Sequence, residues 1–194
     1  MKYIIGLLAM LLPILAGAQR PPIKAFTIGD MVPDITLNHL INYKTSIIKI
    51  SSFRGKLLIL DFWAIWCSGC IHEFSKLDSL QKQFGTNLQI LLINEEGEKS
   101  STENQKKVKA FFVLQQKKHS GSFSLPSTLK RTEILDQLFP HVFIPHFVWI
   151  APDQKIIAIT SGEEITRKNI EAVLKGAPLK MAAKTDTFPS HHQN

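Results

Sequence analysis

The sequence predicts an α/β sandwich built around a mixed β-sheet. Three observations carry that reading. Residues 57–63, Leu-Leu-Ile-Leu-Asp-Phe-Trp, have no polar alternation before Asp61, the pattern of a central strand covered on both faces. Soon after it, Ile71, Phe74, Leu77, Leu80 and Phe84 recur every three or four residues, which gives a helix one apolar face. Residues 146–150 and 155–160 are strand-like and flank Ala151-Pro152-Asp153-Gln154, a turn composition that makes them a hairpin.

The remaining elements follow in chain order. Residues 19–28 open with a proline-rich lead-in, Gln19 to Ala25, of the kind that forms no regular structure. Residues 35–37 and 46–50 read as short strands on either side of a loop at Asn42, and Phe53-Arg54-Gly55-Lys56 as a turn into the long strand. The helix after the cysteines ends near Gly85, and residues 88–93 form a second buried strand. Residues 101–116 regain helical spacing through Val108, Phe111, Phe112 and Gln115, and Ile134, Leu135 and Leu138 mark a shorter helix. A last helix starts with Thr166 as N-cap and runs to about Lys175, before Gly176. One domain, 29–176, is therefore expected, followed by a tail, 177–194, that lacks periodicity and is expected to be disordered. His191 and His192 lie in that tail and read as mobile residues rather than metal ligands.

The N-terminus points to export. Lys2 precedes an apolar stretch from Ile4 to Leu15 and then Ala16-Gly17-Ala18, which fits a secretory leader over residues 1–18 cleaved after Ala18. The stretch is shorter than the roughly 18 apolar residues of a spanning helix, so the mature protein is expected to be soluble and periplasmic or otherwise exported. An uncleaved leader would anchor it to the membrane. The formal net charge of +7 comes from 23 basic and 16 acidic residues. The basic groups, including Lys106-Lys107, Lys109, Lys117-Lys118 and Lys130-Arg131, lack the interleaved aromatics of a nucleic-acid stripe. They read as a solvated face, with a lean toward acidic partners or anionic membrane.

Chemistry is concentrated at Trp66-Cys67-Ser68-Gly69-Cys70, which holds the only two cysteines in the chain. Two intervening residues let one thiolate attack a substrate disulfide while the other stays close enough to resolve the mixed disulfide. The pair falls where strand gives way to helix. Cys67 should thus sit at a helix N-terminus, where the macrodipole and free N–H groups favour a thiolate. The bland readings are a structural disulfide, a reduced buried pair, or half of a zinc site. A zinc site needs four ligands and there is no second cysteine pair, and closing so short a loop would stabilise a fold little.

With those elements placed, Asp61-Phe62-Trp63-Ala64-Ile65-Trp66-Cys67-Ser68-Gly69-Cys70 resembles the active-site segment of the thioredoxin superfamily. Pro33-Asp34-Ile35-Thr36-Leu37, Phe53-Arg54-Gly55-Lys56, the exported N-terminus and the long insert before Pro145 resemble its extracytoplasmic TlpA/ResA-like branch. The resemblance implies a thioredoxin-like sandwich with an N-terminal strand extension and a helical insert ahead of a cis-proline. It also implies a thiol-disulfide oxidoreductase, more often a reductant, as in cytochrome c maturation. Such a protein needs no bound cofactor, acts as a monomer on protein thiols and disulfides, and is recharged by a membrane thiol donor.

Carried over by residue, Cys67 attacks, Cys70 resolves, and Ile144-Pro145 is the cis-proline whose loop pairs with substrate. Asp61 matches a buried acid beneath the resolving cysteine. A carboxyl at the end of an apolar strand should have a raised pKa and be able to take the proton from Cys70. Trp66 is the candidate partner contact, while Trp63 and Phe62 read as half wall and half core. His146 replaces the usual threonine after the proline and is a candidate substrate-binding residue, placed to stabilise the Cys67 thiolate or to help protonate the leaving group. A glutamate near the active site is also implied, and Glu95, Glu96 and Glu98 all fall in that stretch. Ser68-Gly69 lacks the common proline between the cysteines, and Ser75 replaces one that kinks the helix, so the direction of exchange is open. Two rivals remain. A thiol peroxidase would carry Pro-x-x-x-Thr/Ser before its cysteine, where this chain has Trp63-Ala64-Ile65-Trp66; a Cu(I) chaperone would use Cys67, Cys70 and His146.

Overall fold

A computed structural model describes residues 24–96, 102–130 and 133–184. The leader read at 1–18, most of the lead-in, Glu98 and both tail histidines lie outside those residues. The elements run β1 (Thr36–Asn38), β2 (Leu40–Ile41), β3 (Ile47–Lys49), β4 (Leu57–Trp63), α1 (Ser68–Phe84), β5 (Leu88–Asn94), α2 (Thr102–Lys118), β6 (Ser127–Thr128), α3 (Glu133–Leu138), β7 (His146–Ile150), β8 (Ile156–Thr160) and α4 (Arg167–Leu174). Six strands form one mixed sheet in the order β2-β6-β5-β4-β7-β8, and β1 pairs with β3 in a separate antiparallel ribbon.

The seven-residue β4 is buried at every position because it has a neighbour on each edge and a core on each face. Along one edge it runs parallel to β5, Leu57 opposite Leu88 and Trp63 opposite Asn94. Along the other it runs antiparallel to β7, Leu58 opposite Ile150 and Phe62 opposite His146. Strand alternation then sends Leu57, Ile59 and Trp63 into one core with both cysteines, and Leu58, Leu60 and Phe62 into a second. The first core is closed by α1 through Phe74, Leu77 and Leu80, by α2 through Val108 and Phe112, and by α4 through Ile170. The second takes Leu135 and Leu138 from α3 together with Leu37, Ile48 and Ile50 from the N-terminal extension.

Local signals explain the boundaries. The α1 helix stops at Gly85, whose φ of +51° suits a residue without a Cβ. Thr166 caps α4 as expected, its side chain accepting from the Asn169 N–H at 3.2 Å. Residues 50–53, read as the end of a strand entering a turn, instead form a short 3-10 helix that buries Ile50 and Phe53. The two-residue β2 and β6 were not predicted, since so short a pairing shows no period. They are held by their surroundings: His39 and Asn42 bracket β2 with positive φ, and the Asn42 amide donates to the Phe123 and Leu125 carbonyls. Residues 177–184, expected to be disordered, instead lie against the domain. Met181 packs on the first core and the Lys184 N–H donates to the Ile159 carbonyl at 2.9 Å. No helix among the described residues is long and apolar enough to cross a membrane.

Phe74 is the hub that joins α1 to the rest of the first core, with ring contacts to Trp63 at 5.2 Å, Phe111 at 6.1 Å and Phe123 at 6.0 Å. Phe74→Ala should cost about 3–5 kcal/mol of stability, whereas Val113→Ala on the exposed face of α2 should stay within about 0.5 kcal/mol. Urea unfolding of the two variants checks the difference.

Candidate active site

The end of β4 delivers the chain to the helix in four residues. The Cys67 N–H donates to the Ala64 carbonyl at 3.1 Å, and Cys67 takes the N-cap position of α1 in an extended conformation. The two sulfurs form a disulfide, with a Cα–Cα separation of 5.3 Å. Cys67 Sγ also accepts from the Cys70 N–H at 3.1 Å. Cys67 keeps 7% of its surface in solvent and Cys70 none, so Cys67 is the sulfur open to a partner. No acidic side chain occupies the first turn of α1 to oppose a negative charge there.

Asp61 lies two residues before Trp63 and shares its face of β4, the face that carries the cysteines. It is wholly buried, and neither carboxylate oxygen has a hydrogen-bond partner among the described residues. Burial pushes its pKa well above the ordinary carboxylate value, the Glu73 charge pushes it further up, and Lys76 pulls it back. Glu73 and Lys76 were not singled out from the sequence. They form an ion pair with each other, and the Lys76 ammonium donates to the Gly162 carbonyl at 3.1 Å. Their spacing three and six residues after Cys70 was the available signal.

The Ile144-Pro145 bond is cis. Pro145 overlies the dithiol turn, since a Cβ added at Gly69 would meet Pro145 Cδ at 3.9 Å. Ile144 is half-buried beside it, and Trp66, next to Cys67 in the chain, stands 68% exposed. Val142 and Phe143, which sequence reading passed over, are exposed just before Ile144. Phe62 and Trp63 are completely buried, so neither is a wall of the site.

His146 does not face the dithiol: it alternates with Phe147, which faces the cysteines, and its own ring is buried on the opposite side of the sheet. There it stands edge-on to Phe62 at 5.4 Å and stacks on His141 at 4.4 Å. It is thus placed neither to stabilise the Cys67 thiolate nor to complete a copper site with the two sulfurs. Of the candidate glutamates, Glu96 reaches the active-site loop, its carboxylate accepting from the Ile65 N–H at 3.0 Å. Glu95 is buried and uses its own N–H on the Trp63 carbonyl at 2.7 Å; Glu98 lies outside the described residues.

A model of the AhpC/TSA family matches residues 28–133. The chain belongs to the AhpC/TSA family. It is 32% identical over 83 residues to the thioredoxin-like protein YneN of Bacillus subtilis, covering 43% of this chain and 45% of that protein. It is 31% identical over 62 residues to the thiol-disulfide oxidoreductase ResA of Oceanobacillus iheyensis, covering 31% of this chain and 32% of the relative. The chain thus spans less than half the length of these relatives. Among solved structures, the thioredoxin domain of a thiol-disulfide oxidoreductase from Bacteroides vulgatus superposes with a TM-score of 0.55 at 20% identity, covering 77% of this chain and 99% of that one. The fold is thioredoxin-like.

A buried acid whose pKa rises on folding binds its proton more tightly in the folded state. Its contribution to stability therefore falls as pH climbs past the unfolded carboxylate value and goes on falling until the folded group ionises. Asp61→Asn should leave the melting temperature of the oxidised protein nearly unchanged at pH 4 and raise it progressively toward pH 8. Thermal unfolding across that range measures the difference.

Proposed function

We propose that this chain is an exported thiol-disulfide oxidoreductase that reduces disulfides in protein clients. The observation that carries the reading is the single site formed by three elements: a disulfide at the N-terminus of α1, the cis-proline over it, and a buried carboxyl on the face beneath. The names of YneN and ResA support it, and the leader read at residues 1–18 supports export. In that compartment disulfides persist, so a working reductant needs a membrane thiol donor to return Cys67 and Cys70 to thiols.

The reaction runs in two exchanges. With the pair reduced, the Cys67 thiolate, favoured at the helix N-terminus, attacks one sulfur of the client disulfide. The Cys67–client S–S bond forms, the client S–S bond breaks, and the other client sulfur leaves as a thiolate that takes up a proton. Cys70 then gives its proton to the Asp61 carboxylate and attacks Cys67 Sγ: the Cys67–Cys70 bond seen here forms, the Cys67–client bond breaks, and the second client sulfur leaves as a thiolate that takes up a proton, so that Asp61 returns its own proton to solvent before the next cycle. Two electrons pass to the client, and the protein ends oxidised. Trp66, Ile144 and Pro145 hold the client chain against Cys67. Glu96 fixes the loop that carries Trp66 through the Ile65 N–H.

Insulin disulfide reduction with dithiothreitol as electron source tests the reading. Cys67→Ser should abolish catalysis. Cys70→Ser should accumulate a covalent mixed disulfide with the client, visible on a non-reducing gel. Asp61→Asn should slow resolution by at least about tenfold while leaving the first attack by Cys67 largely intact. A wild-type rate no greater than that of dithiothreitol would refute the reading.

A further inference from the structure

The stretch 177–184 follows α4 and carries no periodic pattern in its sequence. It is fixed to the domain at three points. Met181 packs on the first core, the Ala182 N–H donates to Glu164 Oε1 at 3.0 Å, and the Lys184 N–H donates to the Ile159 carbonyl of β8 at 2.9 Å. From that base the Lys184 ammonium reaches across the sheet edge and donates to the Phe143 carbonyl, 41 residues back in the chain.

Phe143 sits two residues before the cis-proline, in the segment that leads into the dithiol site. Its ring is 70% exposed and the neighbouring Val142 is also exposed. The segment is held at one end by Pro145 against Gly69, and residues 139–144 contain no regular element. Phe139 and Ile144 pack against the core at either end of this stretch, but the exposed Val142 and Phe143 side chains between them add little packing of their own. A cation hydrogen-bonded to a carbonyl is one of the stronger single restraints available to it.

We infer that Lys184 is a positioning residue for client binding: the strap 177–184 uses its ammonium to hold the Phe143 carbonyl, so that Val142, Phe143 and Ile144 present a preformed apolar edge to an extended client segment. The fitting partner is a polypeptide with a bulky apolar residue close to its reactive cysteine. Ordering the edge in advance removes an entropic cost of binding. A small disulfide that touches only the sulfurs has no use for it. This inference rests on the reading of the chain as a thiol-disulfide oxidoreductase.

The test compares full-length wild type, Lys184→Ala, Lys184→Arg and, as a control on the same strap, Lys180→Ala, with insulin as the protein disulfide and glutathione disulfide as the small one. Lys184→Ala should raise the KM for insulin about five- to tenfold with kcat changed less than twofold, and should leave turnover of glutathione disulfide within twofold of wild type. Lys184→Arg, which keeps a cationic donor, should recover most of the insulin KM, and Lys180→Ala should match wild type. An insulin KM unchanged in Lys184→Ala, or equal losses on both substrates, overturns the inference while the parent reading stands. Wild-type protein inactive on both substrates overturns the two together.

Discussion

The structure depends on one constraint: β4 is dry on both faces and both edges. A strand walled in this way by β5, β7 and two apolar cores can meet solvent only at its end, and the chain leaves that end directly into α1. The cysteines therefore fall at the one place where a central strand and a helix N-terminus meet the surface. The accessible sulfur is capped by the start of the helix, and the second is sealed one turn inside. Reactivity and protection are set by position along a single stretch of backbone, residues 61–70.

The same burial makes an ionised Asp61 costly. An ionised carboxyl without hydrogen-bond partners is disfavoured in such a place, so the packing that stabilises the sheet raises the proton affinity of the group and makes its carboxylate a stronger base. That cost is the kind of local inconsistency that folds retain at functional sites. The Glu73–Lys76 pair on α1 stands near enough to bias its proton in opposite directions. The charge state of Asp61 is therefore tied to the helix that carries Cys70, and through Lys76 to the Gly162 loop.

Much of this was legible from residues in order. The unbroken apolar run, the spacing from Ile71 to Phe84, the Thr166 cap and the two thiols each leave a local signature, and each element formed where its signature lies. The cis bond at Pro145 was legible only through family resemblance, because a proline before a strand is equally at home in trans. The face of His146 was not legible. It depends on the pairing of β7 with β4, and a shift of one residue would have turned the ring toward the sulfurs. The β2–β6 pairing and the 177–184 strap were hidden for another reason. Their partners are backbone groups distant in the chain, which no side-chain pattern announces.

The proposed role of the Cys67–Cys70 pair as a reductant is measured most directly by its reduction potential. Equilibrating the protein without residues 1–18 in graded thiol–disulfide buffers, with alkylation and mass spectrometry to count free thiols, gives the value. A potential near the thioredoxin end of the scale, about −270 mV, is expected of a reductant; one near about −120 mV would mark an oxidant that installs disulfides and would contradict that role.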